Sequence, residues 1–234
     1  MSRLRKLILT LSPLSLIGWL LDSPYTIGQK QFNNGRFDKA EQSFSNVGKN
    51  LTNNAQETRR SREYDDCQYA LGMMYLYGIG TTERKEKEGI KLLEAAADSA
   101  NSKATQNRAL YLLGTLYIKA EIENRDIEAD ESEYLQNLKK RVPESNPVCI
   151  AYSEGELYLW QAAKNGYVPA QYELGQYYAN VLKIGDEERR KLFARYWLKT
   201  AINHTQDITN IFGEKLTKTQ LENAQKLCDQ LKNQ

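Results

Sequence analysis

The sequence has one histidine, three cysteines and almost no net charge. His204 has no second histidine to help it bind zinc or non-haem iron, and Cys67, Cys149 and Cys228 lack the CxxC spacing of zinc and redox sites. Because the cysteine count is odd, at least one thiol is unpaired within the chain, although an oxidising compartment would allow Cys149 to pair with another. The charge of +2, from 32 basic and 30 acidic residues, provides no field for binding nucleic acid. We therefore expect no metal, no cofactor and no nucleic-acid partner.

The sequence also lacks the motifs of nucleophilic and nucleotide-dependent catalysis. It has no GxSxG segment, and Tyr-Gly-Ile-Gly at 77–80 follows a helical pattern and is typical of a helix-ending turn. Carboxylates gather in residues 120–135, where a hydrolase could use Asp126, Asp130 or Glu131. Basic residues lie within and after this run, which is typical of an exposed helix. The sequence therefore favours a protein that is not an enzyme.

The first 22 residues have a pattern typical of export. Arg3, Arg5 and Lys6 precede an uncharged run over residues 7–21. Basic residues before an apolar run keep the N-terminus in the cytoplasm while the remainder crosses the membrane. We expect residues 1–22 to be an uncleaved signal anchor in the bacterial inner membrane, with the rest of the chain in the periplasm. A cleaved signal peptide and a terminal helix buried against the domain are the alternatives.

One motif, Y-x-L-G-x-x-Y, occurs three times, at residues 69–75, 111–117 and 172–178. At 100° per residue, its leucine, its glycine and its second tyrosine share one stripe of a helix. Glycine inside a helix costs roughly 0.5 to 1 kcal/mol relative to alanine, so the three glycines predict close approach by a neighbouring helix. We assign the second tyrosine of each motif to packing: Tyr75, Tyr117 and Tyr178.

A second pattern, bulky and then small, follows each motif. KLLEAAADS begins at Lys91, YLWQAAKNG at Tyr158 and YWLKTAINH at Tyr196. Aligned from these starting residues, the segments place a bulky residue at one position and alanine at another: Leu92, Leu159 and Trp197, followed by Ala96, Ala163 and Ala201. Each motif and the segment after it therefore predict one helical hairpin, and the middle hairpin contains roughly 24 inserted residues.

These segments resemble the units of the Sel-one-like repeat family, a relative of the tetratricopeptide repeats. The family carries A-x-x-x-L-G-x-x-Y-x-x-G-x-G and later W-Y-x-K-A-A-x-x-G. The chain matches it with ALGMMYLYGIG at 70–80, AQYELGQYY at 170–178 and LYLWQAAKNG at 157–166, although the GxG turn is absent after Tyr117 and Tyr178. The resemblance covers about residues 25–210. It implies an all-α, right-handed α-solenoid that works by binding other proteins.

The predicted domains follow from these units. The helical solenoid occupies residues 23–210, after the apolar N-terminal segment, and residues 211–234 form a capping helix with one apolar stripe. Within the solenoid we expect four hairpins, the third of which contains an insert at 120–153: about 23–49, 63–100, 105–167 and 168–205. An insertion into a regular repeat often lies on the binding face, so this insert is a candidate contact arm.

The side of the first helices opposite the motif stripe differs between units while the packing pattern repeats. In a repeat solenoid, such a row often lines a groove that binds a partner. The row contains ten candidate partner-binding residues: Asp66, Met73, Tyr77, Arg108, Leu112, Thr115, Lys119, Glu173, Gln176 and Asn180.

We expect a non-enzymatic scaffold or adaptor with protein partners in the periplasm or inner membrane. Similar repeat proteins serve as scaffolds of envelope machines, so assembly of a secretion system, such as type VI, is one setting that the resemblance implies. The alternative is a periplasmic immunity protein that neutralises a secreted toxin.

Overall fold

Helices are the secondary structure of the described part of the chain. The computed structural model describes residues 23–50, 62–80, 83–99, 101–127, 129, 132–141, 153–181, 187–207 and 214–232. The predicted anchor at residues 1–22 lies outside these ranges, as do Asp130, Glu131 and Cys149. Within these ranges there are ten α-helices and no strand, so the predicted all-α repeat solenoid is confirmed. None of these helices is both long enough and apolar enough to cross a bilayer.

The ten helices contain most of the described residues. The first two pairs are α1 (Pro24–Asn33) with α2 (Phe37–Asn50), and α3 (Arg62–Tyr77) with α4 (Glu86–Asp98). Next come α5 (Lys103–Ile122), α6 (Glu133–Arg141) and α7 (Glu154–Lys164). The last three are α8 (Val168–Gln176), α9 (Glu187–Gln206) and α10 (Lys218–Gln230). A single π-helical turn at Tyr177–Val181 extends α8.

These helices pack as hairpins. Helix α1 packs on α2, α3 on α4, α5 on α7 and α8 on α9, while α10 covers α9. In the third hairpin the partner of α5 is α7, because α6 belongs to the insert and packs beside α7. The first helices α1, α3, α5 and α8 also contact one another in this order. They therefore form one continuous layer, and the side chains on its free face are the ones that can line a groove.

Hydroxyl side chains set the beginnings of several helices. Ser23, Ser102, Ser153 and Thr217 each accept a hydrogen bond from a backbone N–H in the first turn of the helix that follows. These bonds satisfy donors that have no partner within the helix. At the turn between α1 and α2, Gly35 has a φ of +70°, a conformation that glycine adopts without a steric penalty. The N-caps therefore fix where α1, α5, α7 and α10 begin, and the turn at Gly35 fixes the bend of the first hairpin.

The motif glycine is the contact point of each hairpin, as the sequence predicts. A Cβ built on Gly114 would lie 2.6 Å from Cγ of Leu159 on α7. The equivalent Cβ atoms would be 2.9 Å from Leu93 for Gly72 and 2.5 Å from Leu198 for Gly175. In the first hairpin Gly28 faces Phe44 in the same way, at 2.5 Å. We call this arrangement the glycine contact, and it occurs in all four hairpins of the described chain.

A second small residue completes each glycine contact. It lies four residues before the bulky residue on the facing helix, at a position that the repeated patterns do not mark. A Cβ on Gly155 would lie 2.9 Å from the carbonyl oxygen of Gly114, and one on Gly89 would lie 3.0 Å from that of Gly72. The other two hairpins have fully buried alanines at this position, Ala40 and Ala194. Small residues on both sides let the two backbones approach closely.

The glycine contact corrects the predicted register of the second helices. The sequence alignment equates Leu92, Leu159 and Trp197, but the side chains that cover the glycines are Leu93, Leu159 and Leu198. Two bulky residues stand next to each other in every unit, so hydrophobicity alone does not show which of them faces the glycine. The alignment is therefore wrong by one residue in the units of α4 and α9. The second tyrosines Tyr75, Tyr117 and Tyr178 are in the hydrophobic clusters, which confirms their packing role.

We expect the substitution Gly114→Ala to destabilise the protein. At an uncrowded helical position, alanine is about 1 kcal/mol more favourable than glycine. Here the added methyl group overlaps Leu159, and such overpacking costs about 1 to 3 kcal/mol. Thermal unfolding followed by circular dichroism should show a lower midpoint for Gly114→Ala. Lys119→Ala, an exposed position on the same helix, should leave the midpoint nearly unchanged. A higher midpoint for Gly114→Ala would show that the close approach does not exist.

Candidate partner-binding groove

Three cavities follow one another along the layer of first helices. The first, of about 300 Å³, lies among α1, α3 and α5. The middle cavity, of about 330 Å³, lies between α3 and α5, and the third, of about 220 Å³, lies among α5, α7 and α8. Thr115 and Lys119 line both the middle and the third cavity, so these two lie next to each other. We call the three together the groove.

Eight of the ten predicted residues line the groove. Three line the first cavity, three the middle cavity and two the third: Asp66, Met73 and Arg108; Tyr77, Thr115 and Lys119; Glu173 and Gln176. Asn180 is exposed beside the third cavity and donates from Nδ2 to Oε1 of Gln176 at 2.7 Å. Leu112 is partly buried against the central core and lines none of the three cavities. No partner is present, so binding at these residues stays a prediction.

The first cavity has aromatic walls with a few polar groups. Tyr25 and Phe32 on α1, Phe44 on α2 and Tyr69 on α3 contribute rings to it. Asp66 accepts a hydrogen bond from the hydroxyl of Thr105. Aromatic residues with a polar end are frequent at protein interfaces because they bury a large area and keep a hydrogen-bonding group. This end of the groove is thus suited to apolar side chains.

Arg108, at the edge of the first cavity, already has a partner within the chain. Its Nε donates to Oε1 of Glu214 at 2.8 Å, although the two residues are 106 positions apart. The hydroxyl of Tyr167 also hydrogen-bonds Glu214, and burial together with this carboxylate raises the pKa of Tyr167. The bond between Arg108 and Glu214 raises the pKa of Arg108. The residues just before α10 are therefore held against α5, and Arg108 supports the fold as well as lining the groove.

The middle cavity carries more basic than acidic side chains. Arg125 donates from Nη1 to both carboxylate oxygens of Glu86, at 2.9 and 3.0 Å, and Arg84 lies 3.1 Å from the same carboxylate. Lys119 pairs more loosely with Glu123, at 3.7 Å. Tyr77 stands at the wall of this cavity with 56% of its surface exposed. Two guanidinium groups thus share one carboxylate next to an exposed aromatic ring.

The third cavity combines apolar walls with one acidic side chain. Ile118 and Ile122 of α5 and Leu159 of α7 form its apolar side. Glu173 is half-buried, and burial raises the pKa of its carboxyl group. Gln176 donates from Nε2 to the hydroxyl of Tyr172 at 3.0 Å. The chemistry of the groove therefore changes from aromatic, through basic, to apolar with one acid.

Several residues that line the groove or support its edge are not marked by the repeated motifs. Arg84 and Arg125 lie in loops outside the repeated motifs, and Tyr167 and Glu214 come from later parts of the chain. No periodicity marks these positions, since each reaches its contact through the stacking of the hairpins. Ile122 has a weak signal, an apolar residue at the end of α5, and it is 59% exposed at the third cavity.

The acidic insert forms a further cavity of about 530 Å³ on the other side of α5. Glu121, Asp126 and Glu154 line it, whereas Asp130 and Glu131 lie outside the described residues. In the ranges that the structure describes, no cluster of three or more histidine, cysteine or acidic residues could hold a metal ion. Ser132, just before α6, donates a hydrogen bond to Glu94 of α4 at 2.6 Å and so ties the start of α6 to α4. Glu94 also accepts a hydrogen bond from the hydroxyl of Tyr158, at 2.5 Å.

The histidine and two of the cysteines are held within the fold. Nδ1 of His204 lies 3.0 Å from Oε1 of Gln171, near the end of α9. Cys67 and Cys228 are buried free thiols, so these two do not pair with each other. Burial raises the pKa of Cys67 to about 12, which keeps its thiol protonated at neutral pH.

We expect Glu173→Gln to stabilise the free protein at neutral pH. Because burial raises the pKa of Glu173, the folded state binds its proton more tightly than the unfolded state does. Ionisation therefore destabilises the fold as pH rises through that pKa, and glutamine removes this effect. The unfolding midpoint of Glu173→Gln should exceed that of the wild type at pH 7, and the two should converge in acid below the usual glutamate pKa.

The control for this prediction is Glu88→Gln, which makes the same chemical change at an exposed position on α4. Its carboxylate stays in water, so its midpoint should stay close to that of the wild type at pH 7. A lower midpoint for Glu173→Gln than for the wild type at pH 7 would contradict the prediction.

Comparison with known families agrees with the hairpin architecture. The family model of the Sel1 repeat matches residues 65–101 and 168–204. The first match covers the hairpin of α3 and α4, and the second covers that of α8 and α9. No curated protein matches the chain. Sel1 repeats are generally non-enzymatic modules that bind other proteins. Two such matches in a stack of helical hairpins are consistent with a Sel1-repeat protein of the tetratricopeptide-like helical repeat group.

Proposed function

We propose that this protein is a scaffold that holds a segment of another protein in the groove. The observation that carries the proposal is the course of the groove, which follows the first helices of successive hairpins with different side chains in each unit. A repeated core that presents a varied surface is how solenoid proteins bind partners. The repeat family points to protein partners in general, and the groove is where we place them.

The arrangement of the cavities in a row favours a protein segment over a small molecule. Small-molecule sites are usually single enclosed pockets of roughly 300 to 1,000 Å³. Here the three cavities have volumes of about 300, 330 and 220 Å³ and are arranged in a row. Each has room for one or two side chains, and their succession suits an extended or helical segment with several anchors.

We place this scaffold on the periplasmic side of a bacterial inner membrane. The support is the sequence pattern of residues 1–22, in which basic residues precede an apolar run. An envelope assembly is the setting we propose, with a secretion system such as type VI as an example, since similar repeat proteins are scaffolds of envelope machines. A membrane anchor would keep the groove close to membrane-bound components and raise their effective concentration.

A photo-crosslinking experiment tests the groove. A photoreactive amino acid at position 77 or 119 of the full-length chain should crosslink to envelope proteins in living cells. The same amino acid at position 95 or 199, exposed on α4 and α9, should not. The double variant Tyr77→Ser with Lys119→Glu should lower recovery of the crosslinked partner at least tenfold, because exposed aromatic residues often dominate binding energy.

Two results of this experiment would contradict the proposal. Equal crosslinking at all four positions would show that the groove has no special role. Capture of one secreted toxin, and of no assembly component, would show an immunity protein instead of a scaffold. Lys199→Glu is the matched charge reversal outside the groove and should leave recovery unchanged.

An export reporter tests the location. A phosphatase that is active only outside the cytoplasm, fused after Gln234, should be active when residues 1–22 are present and inactive when residues 2–22 are deleted. The physical reason is that an apolar run after basic residues directs export, and the deletion removes this run. Both fusions must accumulate to similar levels on immunoblots. Low activity in the presence of residues 1–22 would place the protein in the cytoplasm.

A further inference from the structure

We propose that Glu173 anchors a lysine or arginine side chain of the bound segment in the third cavity. This inference rests on the proposed function and adds the chemistry of one contact. It also implies one orientation of the bound segment in the groove, because the third cavity would bind a cation and the basic middle cavity would not.

Glu173 has no counter-ion among the described residues. It forms no described hydrogen bond or ion pair, and Lys119, the cationic residue that lines the same cavity, pairs with Glu123 on its own helix. Other charged residues of the groove have described partners: Asp66 has Thr105, and Arg108 has Glu214. Glu173 therefore differs from its neighbours in the groove.

A half-buried carboxylate without a partner lowers the stability of the free protein. Removing a charge from water is unfavourable unless an opposite charge or hydrogen-bond donors replace the lost hydration. The more deeply buried acids of this protein have such donors, since Glu94 accepts from Tyr158 and Glu156 accepts from Tyr178. A cation supplied by a partner would give Glu173 the same compensation, so the free energy lost in the unbound state would be recovered on binding.

The walls of the third cavity select the kind of cation. Ile118, Ile122 and Leu159 form an apolar surface leading to Glu173, and Ile122 is 59% exposed. Lysine and arginine carry long aliphatic stems that pack on such surfaces while the charged group reaches a carboxylate. A volume of about 220 Å³ lies below the range of ordinary ligand pockets, so the cavity suits one side chain. A bare metal ion would leave the apolar walls without contacts.

Peptide selection on the full-length chain tests this inference. Short random peptides displayed on phage would be selected on the wild type in detergent micelles, after removal of those that also bind Tyr77→Ser with Lys119→Glu. Peptides that depend on the groove should share a lysine or arginine at one position. Their dissociation constants would then be measured by fluorescence anisotropy.

The variants then separate the charge contact from the rest of the groove. Glu173→Gln should weaken peptide binding about tenfold, as expected for loss of one partner of a partly buried charge pair. Replacing the basic residue of the peptide by norleucine should have a similar effect on the wild type and little further effect on Glu173→Gln, because the two changes remove the same contact. Glu88→Gln, outside the groove, should change affinity less than about twofold.

The outcomes of the two proposals are distinguishable. Peptides that depend on the groove but need no basic residue, or that bind Glu173→Gln as tightly as the wild type, would overturn the role of Glu173 and leave the scaffold proposal standing. If no selected peptide depends on Tyr77 and Lys119, and crosslinking at these positions also fails, the groove is not a binding site and both proposals fall.

Discussion

The close approach of two helices at the glycine contact is the constraint on which the rest of the structure depends. Gly114 and Gly155 face each other's helices at distances that leave no room for a Cβ, and alanine takes the place of the second glycine in the outer hairpins. Glycine inside a helix is unfavourable by roughly 1 kcal/mol. Dense packing of leucine against the glycine backbone offsets this loss, because the two helices stay in van der Waals contact where they cross.

This contact determines which surface is free. Since each first helix buries its glycine stripe against its own second helix, its opposite side is left for the layer that forms the groove. The residues there differ in kind along the layer, from the aromatic rings around Met73, through the guanidinium groups around Glu86, to Glu173 among isoleucines. A uniform scaffold thus carries a surface with local differences in charge and polarity.

The C-terminal part of the chain takes part in this surface as well as covering the last hairpin. Glu214 reaches Arg108 and Tyr167, so the residues before α10 connect the fourth hairpin to the third. The C-terminal cap thus contacts the third hairpin as well as the fourth, whereas a unit of a repeat protein usually contacts only its immediate neighbours. It also means that Arg108 has a structural role whether or not a partner binds.

The sequence alone determined the helical class, the hairpin unit and the glycine that marks each contact, because these depend on local patterns with a helical period. It did not determine that Leu93 and Leu198 cover the glycines, since adjacent bulky residues are equivalent in a hydrophobic pattern. Nor did it show that Arg84 and Arg125 line the groove, that Glu214 pairs with Arg108, or that Glu173 lacks a counter-ion among the described residues. These facts belong to the tertiary structure, because burial and charge pairing depend on distances between residues far apart in the chain.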